Sequence, residues 1–154
     1  MLSDLANDPV GSVARRQPIL VTGELPVYAV LERMRDDRQG AVLICDEQGI
    51  LVGIFTERDV LLKLGADETL RERAVEDLMT RSPHSAKAEE NLGTALHQMK
   101  EGAFRHLPIV DQQMRPVGIL SIRDVLVAVA DGFPQEILNL PPVPLRGASP
   151  IDGG

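Results

Sequence analysis

Residues 41–61, AVLICDEQGILVGIFTERDVL, and residues 106–126, HLPIVDQQMRPVGILSIRDVL, are one phrase written twice, 65 positions apart. Aligned without a gap, 10 of the 21 positions are identical, among them Asp46/Asp111, Gly53/Gly118, Arg58/Arg123, Asp59/Asp124 and Val60/Val125. The register continues upstream, setting Met34 on Met99, Leu31 on Leu96, Pro18 on Pro83 and Arg16 on Arg81. A fixed internal period of this kind marks a duplicated structural unit. The units run from about Val10 to Leu64 and from about Val75 to Val129. The chain then divides into an N-terminal lead (1–9), a first repeat (10–66), a linker helix with the second repeat (67–130) and a Pro-rich tail (131–154).

Local signals agree between the copies. Val27, Val30, Leu31 and Met34 form an apolar stripe at helical spacing, with Pro26 suited to the first turn and Gly40 a plausible terminator. Leu92, Ala95, Leu96 and Met99 repeat the stripe, with Gly102 after it. Two apolar runs follow, Ala41–Cys45 and Ile50–Phe55, joined by an Asp-Glu-Gln-Gly spacer that predicts a hairpin. The second copy has Leu107–Val110 and Val117–Leu120. Helices are predicted over Glu57–Leu64, Ile122–Ala130 and the connecting stretch Asp67–Met79, and short first strands over Ile19–Val21 and His84–Ala86. The fold class is α+β, two β-α-β-β-α repeats. A three-stranded unit of this size has too little core to stand alone, and its helices cover one sheet face. The copies therefore pack on each other with pseudo-two-fold symmetry, leaving equivalent clefts where they meet.

Composition narrows the function. The chain of 154 residues carries 23 Asp+Glu against 16 Lys+Arg, a formal charge of −7, which argues against nucleic-acid or anionic-membrane partners. No apolar run approaches the roughly 20 residues of a membrane span, and residues 1–10 lack the pattern of a signal peptide. The single cysteine, Cys45, excludes an internal disulfide framework, so a reducing, cytoplasmic location is expected. The tail holds five of the 11 prolines and reads as an extended linker. One Cys with His84, His97 and His106 makes no metal-ligand spacing and no recurrent nucleophilic triad. No metal or cofactor and no enzymatic activity are expected.

Chemistry concentrates in Gly53-Ile-Phe-Thr56-Glu-Arg58-Asp59-Val60 and its copy Gly118-Ile-Leu-Ser121-Ile-Arg123-Asp124-Val125, where a strand passes into a helix. The bland reading is a capping box, the hydroxyl capping the helix and the acid returning the bond. The sharper reading uses the same geometry. A helix N-terminus favours an anion, a carboxylate one turn in can accept both hydroxyls of a ribose, and the adjacent Arg58 or Arg123 can neutralise phosphate. Both readings stand on spacing alone.

The repeat, its order of elements and the phrases GIFTERDV, FRHLPIVD and GILSIRDVL resemble the cystathionine-β-synthase (CBS) domain family, arranged as a tandem pair or Bateman module, over about Val10 to Val129. The resemblance implies a disc-like unit with two clefts that commonly dimerises. Many such pairs bind AMP, ADP, ATP, NAD-type dinucleotides or S-adenosylmethionine. By this resemblance Asp59 and Asp124 hold ribose, Thr56 and Ser121 lie near ribose or phosphate, and Ile19, Ile54, His84 and Ile119 flank the adenine. Arg105 and His106 stand where similar sequences place phosphate contacts, against Gly40 and Ala41 in the first copy. The residues before the first strands also differ, Arg15-Arg16-Gln17 against Thr80-Arg81-Ser82, and the sequence does not settle which cleft each set serves. The implied function is a regulatory homodimer that senses an adenosine-containing ligand and passes its state to an effector protein. The alternative is a ligand-independent dimerisation module whose motifs are helix caps.

Overall fold

The structure, a computed structural model, describes residues 2–131, so the expectation for the Pro-rich tail lies almost wholly outside the described residues. Helices α1 (Leu2–Asn7) and α2 (Val10–Val13) come first. The first repeat continues with β1 (Ile19–Thr22), α3 (Val27–Asp37), β2 (Ala41–Cys45), β3 (Leu51–Thr56) and the short α4 (Glu57–Asp59), which widens into a π-helical turn over Val60–Leu64. After β4 (Thr80–Arg81), the second repeat has β5 (Ala86–Lys87), α5 (Leu92–Gly102), β6 (His106–Val110), β7 (Pro116–Ser121) and α6 (Ile122–Asp131). β1 runs parallel to β2 and β5 parallel to β6, while the hairpins β2–β3 and β6–β7 are antiparallel. The architecture is the expected mixed α+β pair of repeats.

Each turn is built from the residues that predicted it. The Asp46 carboxylate accepts from the backbone N–H groups of Gln48 and Ile50, both at 2.9 Å, and Gly49 takes φ +82°. Asp111 repeats this with Gln113 and Arg115, Met114 adopting the left-handed conformation in place of glycine. The terminators differ from expectation. Arg38 and Ala103, equivalent positions, close α3 and α5 at φ 53°, ahead of Gly40 and after Gly102. There Gln39 N–H donates to Met34 O and Phe104 N–H to Met99 O, tying off the last turn.

Alternation along the central strands sorts side chains between cores. Val42 and Ile44 of β2 and Phe55 of β3 face α3 in the first core, and Leu107, Ile109 and Leu120 face α5 in the second. The opposite faces meet in a third cluster of Ala41, Leu43, Leu51, Ile54, Val110 and Ile119, which joins the two sheets. Burying a side chain such as Leu43 stabilises by roughly 1.5–3 kcal/mol, so this seam makes the two halves one body. Cys45 is buried, and desolvation, with the nearby Asp46 charge second, pushes its thiol pKa up.

The leading segments cross over. Val10 and Ala14 lie in the second core, and their repeat equivalents Val75 and Met79 lie in the first. Gly11 N–H bonds to Ala88 O and Val10 N–H to Glu90 O, while Val75 N–H bonds to Leu25 O and Val27 N–H to Arg73 O. β4 adds to the edge of the first sheet, Gly53 opposite Arg81 and Ile54 opposite Thr80. This crossing corrects the expected linker helix over Asp67–Met79. The stretch forms two short 3-10 turns, Glu68–Glu72 and Val75–Asp77, because Arg73 must be extended (φ −69°, ψ 151°) for its carbonyl to meet Val27. It also explains the motif glycines. A Cβ on Gly53 would overlap the side chain of Met79, and one on Gly118 would lie 3.2 Å from Ala14 O.

Candidate functional site

Each motif sits where a hairpin strand turns directly into a helix, so strand pairing fixes the hydroxyl and helix geometry returns the acid beneath it. In the first repeat Asp59 Oδ2 accepts from Thr56 N–H at 2.8 Å and from Thr56 Oγ1 at 3.2 Å, and Thr56 Oγ1 accepts from Asp59 N–H at 3.4 Å. In the second, Asp124 Oδ2 accepts from Ser121 N–H at 3.3 Å and Ser121 Oγ accepts from Asp124 N–H at 3.1 Å. Both are capping boxes, so the bland reading is realised in both copies. Each cap leaves the other carboxylate oxygen, Oδ1, for something else, and there the copies part.

Asp59 is 8% exposed and its Oδ1 is occupied from within. Lys63 Nζ lies 3.0 Å away and Thr80 Oγ1, from β4, donates at 3.5 Å. Lys63 also donates to Leu78 O at 2.7 Å, anchoring the π-helical turn to the crossing segment. At Asp124, Oδ1 accepts no hydrogen bond among the described residues, and Arg16 Nη2 stands 3.7 Å off. The crossing thus settles which lead meets which motif: Thr80 reaches Asp59 and Arg16 reaches Asp124.

His106 begins β6 beside the second motif, paired in register with Ser121. Burial holds its pKa below the ordinary 6.5, opposed by Glu57 and Asp124 and reinforced by Arg105 and Arg16. Four charged groups from both repeats therefore surround one half-buried imidazole. Glu57 reaches this place because Gly40 has no side chain, a Cβ there falling 2.7 Å from Glu57 Oε1. Arg105 carries the backbone bond that starts α6, its carbonyl accepting from Ile122 N–H at 3.1 Å.

The remaining expected residues are dispersed. Arg58 and Arg123 are exposed, and Arg58 Nη1 donates across to Ala103 O at 3.1 Å. Ile54 and Ile119 are buried in the seam between the sheets. Ile19 is 2% exposed and lies in the first core, so its side chain meets α3 and not a groove. Its equivalent His84 is exposed and stacks on Phe104, ring centroids 5.2 Å apart and 12° from parallel, with Gln98 Nε2 3.4 Å from Nδ1. Phe104 and Lys63 escaped sequence reasoning. Lys63 had a signal, four residues after Asp59 on the same helical face, with Ala128 at its repeat position. A cavity of about 260 Å³ lies between Leu31, Val60, Leu64 and Arg71, and neither Asp59 nor Asp124 lines it. No group of three or more metal-ligating side chains occurs among the described residues.

Comparison with known proteins places the repeats in context. The family model for the CBS domain matches twice, over residues 10–66 and 75–131. An uncharacterised 17.7 kDa protein of Acidianus ambivalens is 30% identical over 122 residues, covering 79% of this chain and 73% of that protein. Several longer curated relatives are matched over only 16% to 20% of their length. Among solved structures, CBSX2 in complex with AMP superposes with a TM-score of 0.72 at 27% identity, over 82% of this chain and 99% of that one. The CBS domain pair of MJ0100, solved with 5′-methylthioadenosine and S-adenosyl-L-methionine, shares the fold at a TM-score of 0.73 and 24% identity, over 80% of this chain and 96% of that one.

Proposed function

The chain belongs to the CBS domain family, as a tandem pair, and from that premise we propose that it is a regulatory module binding an adenosine nucleotide in the groove between its repeats. The observation that carries the reading is Asp124. Its carboxylate is part-buried at the start of the ten-residue helix α6, capped through one oxygen and, among the described residues, without a hydrogen bond on the other. A ribose diol needs such an acceptor, the N-terminus of α6 and Arg16 supply positive charge for phosphate, and His106 supplies a hydrogen-bond donor. AMP bound to the similarly folded CBSX2 fits that chemistry. The groups that meet at Asp124 hold and neutralise a ligand, a task of binding and not of turnover.

Occupancy would shift the packing of the two halves, and the change would be read by a partner protein. The assembly is a homodimer. Leu61 and Leu62 on the π-helical turn are 77% and 72% exposed, and their repeat equivalents Leu126 and Val127 on α6 are 63% and 55% exposed. Pseudo-symmetric halves presenting the same apolar pair make a self-complementary face, the requirement of a two-fold contact. A cytoplasmic setting fits the lone buried thiol of Cys45. Isothermal titration with AMP, ADP, ATP, NADH and S-adenosylmethionine tests the reading. Saturable binding of at least one at sub-millimolar affinity is expected, and silence from all five would leave the capping boxes as the whole role of the motifs.

A further inference from the structure

We propose that the two grooves are unequal by construction: Lys63 closes the first as an internal counter-ion, and the nucleotide is held beside Asp124 alone. The inference rests on the reading above and names the residue that decides site occupancy. A carboxylate offers about four acceptor positions. At Asp59 all are engaged, by Thr56 N–H, Thr56 Oγ1, Lys63 Nζ and Thr80 Oγ1. A ribose there would have to displace an ion pair whose lysine is itself held by Leu78 O at 2.7 Å. Taking Lys63 and Thr80 away would leave a poorly solvated carboxylate, since Asp59 is 8% exposed.

Two further features set the lysine in place. The first is spacing, since Lys63 follows Asp59 by four residues, on the same side of the helix. The second is the π-helical turn, closed by Gly65 N–H on Val60 O at 3.2 Å, after which Gly65 takes φ +51° and ends the element. The second repeat has neither. α6 is a regular helix, and Ala128 holds the position of Lys63, so no cation folds back onto Asp124. There the countercharge comes from Arg16, 42% exposed along its side chain and 3.7 Å away. At that distance the guanidinium makes no hydrogen bond to the carboxylate, so it can turn to a phosphate without breaking one, whereas Lys63 is held at 3.0 Å. Thus the same motif forms a self-satisfied joint in one half and a binding groove in the other.

The test is titration of the intact chain with AMP and with the other four nucleotides and cofactors named above. The wild type is expected to bind one ligand per chain. Asp124→Asn, which keeps an oxygen for the cap, should weaken affinity at least tenfold, whereas Asp59→Asn should leave it within about threefold. Ala128→Lys transplants the lysine and should weaken the wild-type site as severely as Asp124→Asn. Lys63→Ala should raise the stoichiometry from one to two. Circular dichroism melts run alongside confirm that each variant is folded. Two ligands per wild-type chain, or loss of binding on Asp59→Asn with Asp124→Asn unaffected, overturns this inference and leaves the proposed function intact. An absence of binding by the folded wild type overturns both.

Discussion

Replacing Gly53 with alanine tests the crossing of the leading segments, which brings Thr80 to Asp59 and Arg16 to Asp124. A Cβ at this position would run into Met79 Sδ and lie 2.9 Å from its Cγ and 3.0 Å from its Cε. Normal separations are about 3.5–4.0 Å, so the sulfur must retreat by roughly 1.3–1.8 Å. Met79 is 8% exposed within the first core, with Phe55 and Val75 in the same cluster, so its retreat disturbs packed neighbours. Overpacking of this kind costs about 1–3 kcal/mol, offset by roughly 0.5–1 kcal/mol from the reduced backbone freedom of the unfolded chain. The expected net loss for Gly53→Ala is therefore between about 0 and 2.5 kcal/mol. Met79→Ala alone should cost about 2–5 kcal/mol, as large-to-small changes in cores do. In the double variant the new methyl enters space the methionine has vacated. Its loss should fall short of the sum of the singles by at least about 1 kcal/mol. Urea denaturation followed by circular dichroism measures all three, with an unchanged m-value as the check on two-state behaviour. Additivity within about 0.5 kcal/mol would mean that Met79 does not lie over Gly53 and that the linker takes another route.

Two other perturbations bear on the site and the assembly. His106 is held neutral by burial, so its pKa in the folded chain lies below the ordinary 6.5. Its contribution is complete above about pH 6.5 and is lost as pH falls towards the folded-state pKa, because the unfolded chain takes up a proton that the folded one resists. The stability lost between pH 7.5 and pH 5.5 should be smaller in His106→Gln than in wild type, and equal losses would refute the assignment. For the dimer, Leu61→Glu combined with Leu126→Glu places charge on both exposed apolar pairs. Sedimentation velocity should show wild-type dimers becoming monomers with an unchanged circular dichroism spectrum. A wild type that sediments as a monomer, or a variant that stays dimeric, would remove that face as the contact.

The duplicated hairpins, the helical stripes ending at Met34 and Met99, and the Asp-led turns were all legible in the sequence, because each signal lies within a dozen residues of chain. The capping boxes were legible too, since [S/T]-x-x-D is a local pattern. The crossing was not. Val10 and Val75 each join a core in the other half of the chain, and a single valine carries no mark of where it packs. The linker read as helix from its Ala, Glu and Arg content, but tertiary pairing of Arg73 with Val27 outweighed that local preference. The same limit governed the site. Arg16 and Thr80 were visible as polar residues before the first strands, and only the crossing shows that each meets the aspartate of the opposite repeat. Ile19 and His84 are equal in register and unlike in fate, one sunk among aliphatic neighbours and the other laid against an aromatic ring.

The exchange of leading segments bears on how the chain is made. A nascent polypeptide ending near Gly65 has β1 to β3 but lacks β4, and also Val75 and Met79, which complete the first core. It also carries Val10 and Ala14 with no second half to receive them. The first core is complete once Met79 has been made, whereas Val10 and Ala14 must wait for the second core, which closes only with Val125; a cut between Gly65 and Val75 would leave two fragments, each holding a piece that belongs to the other.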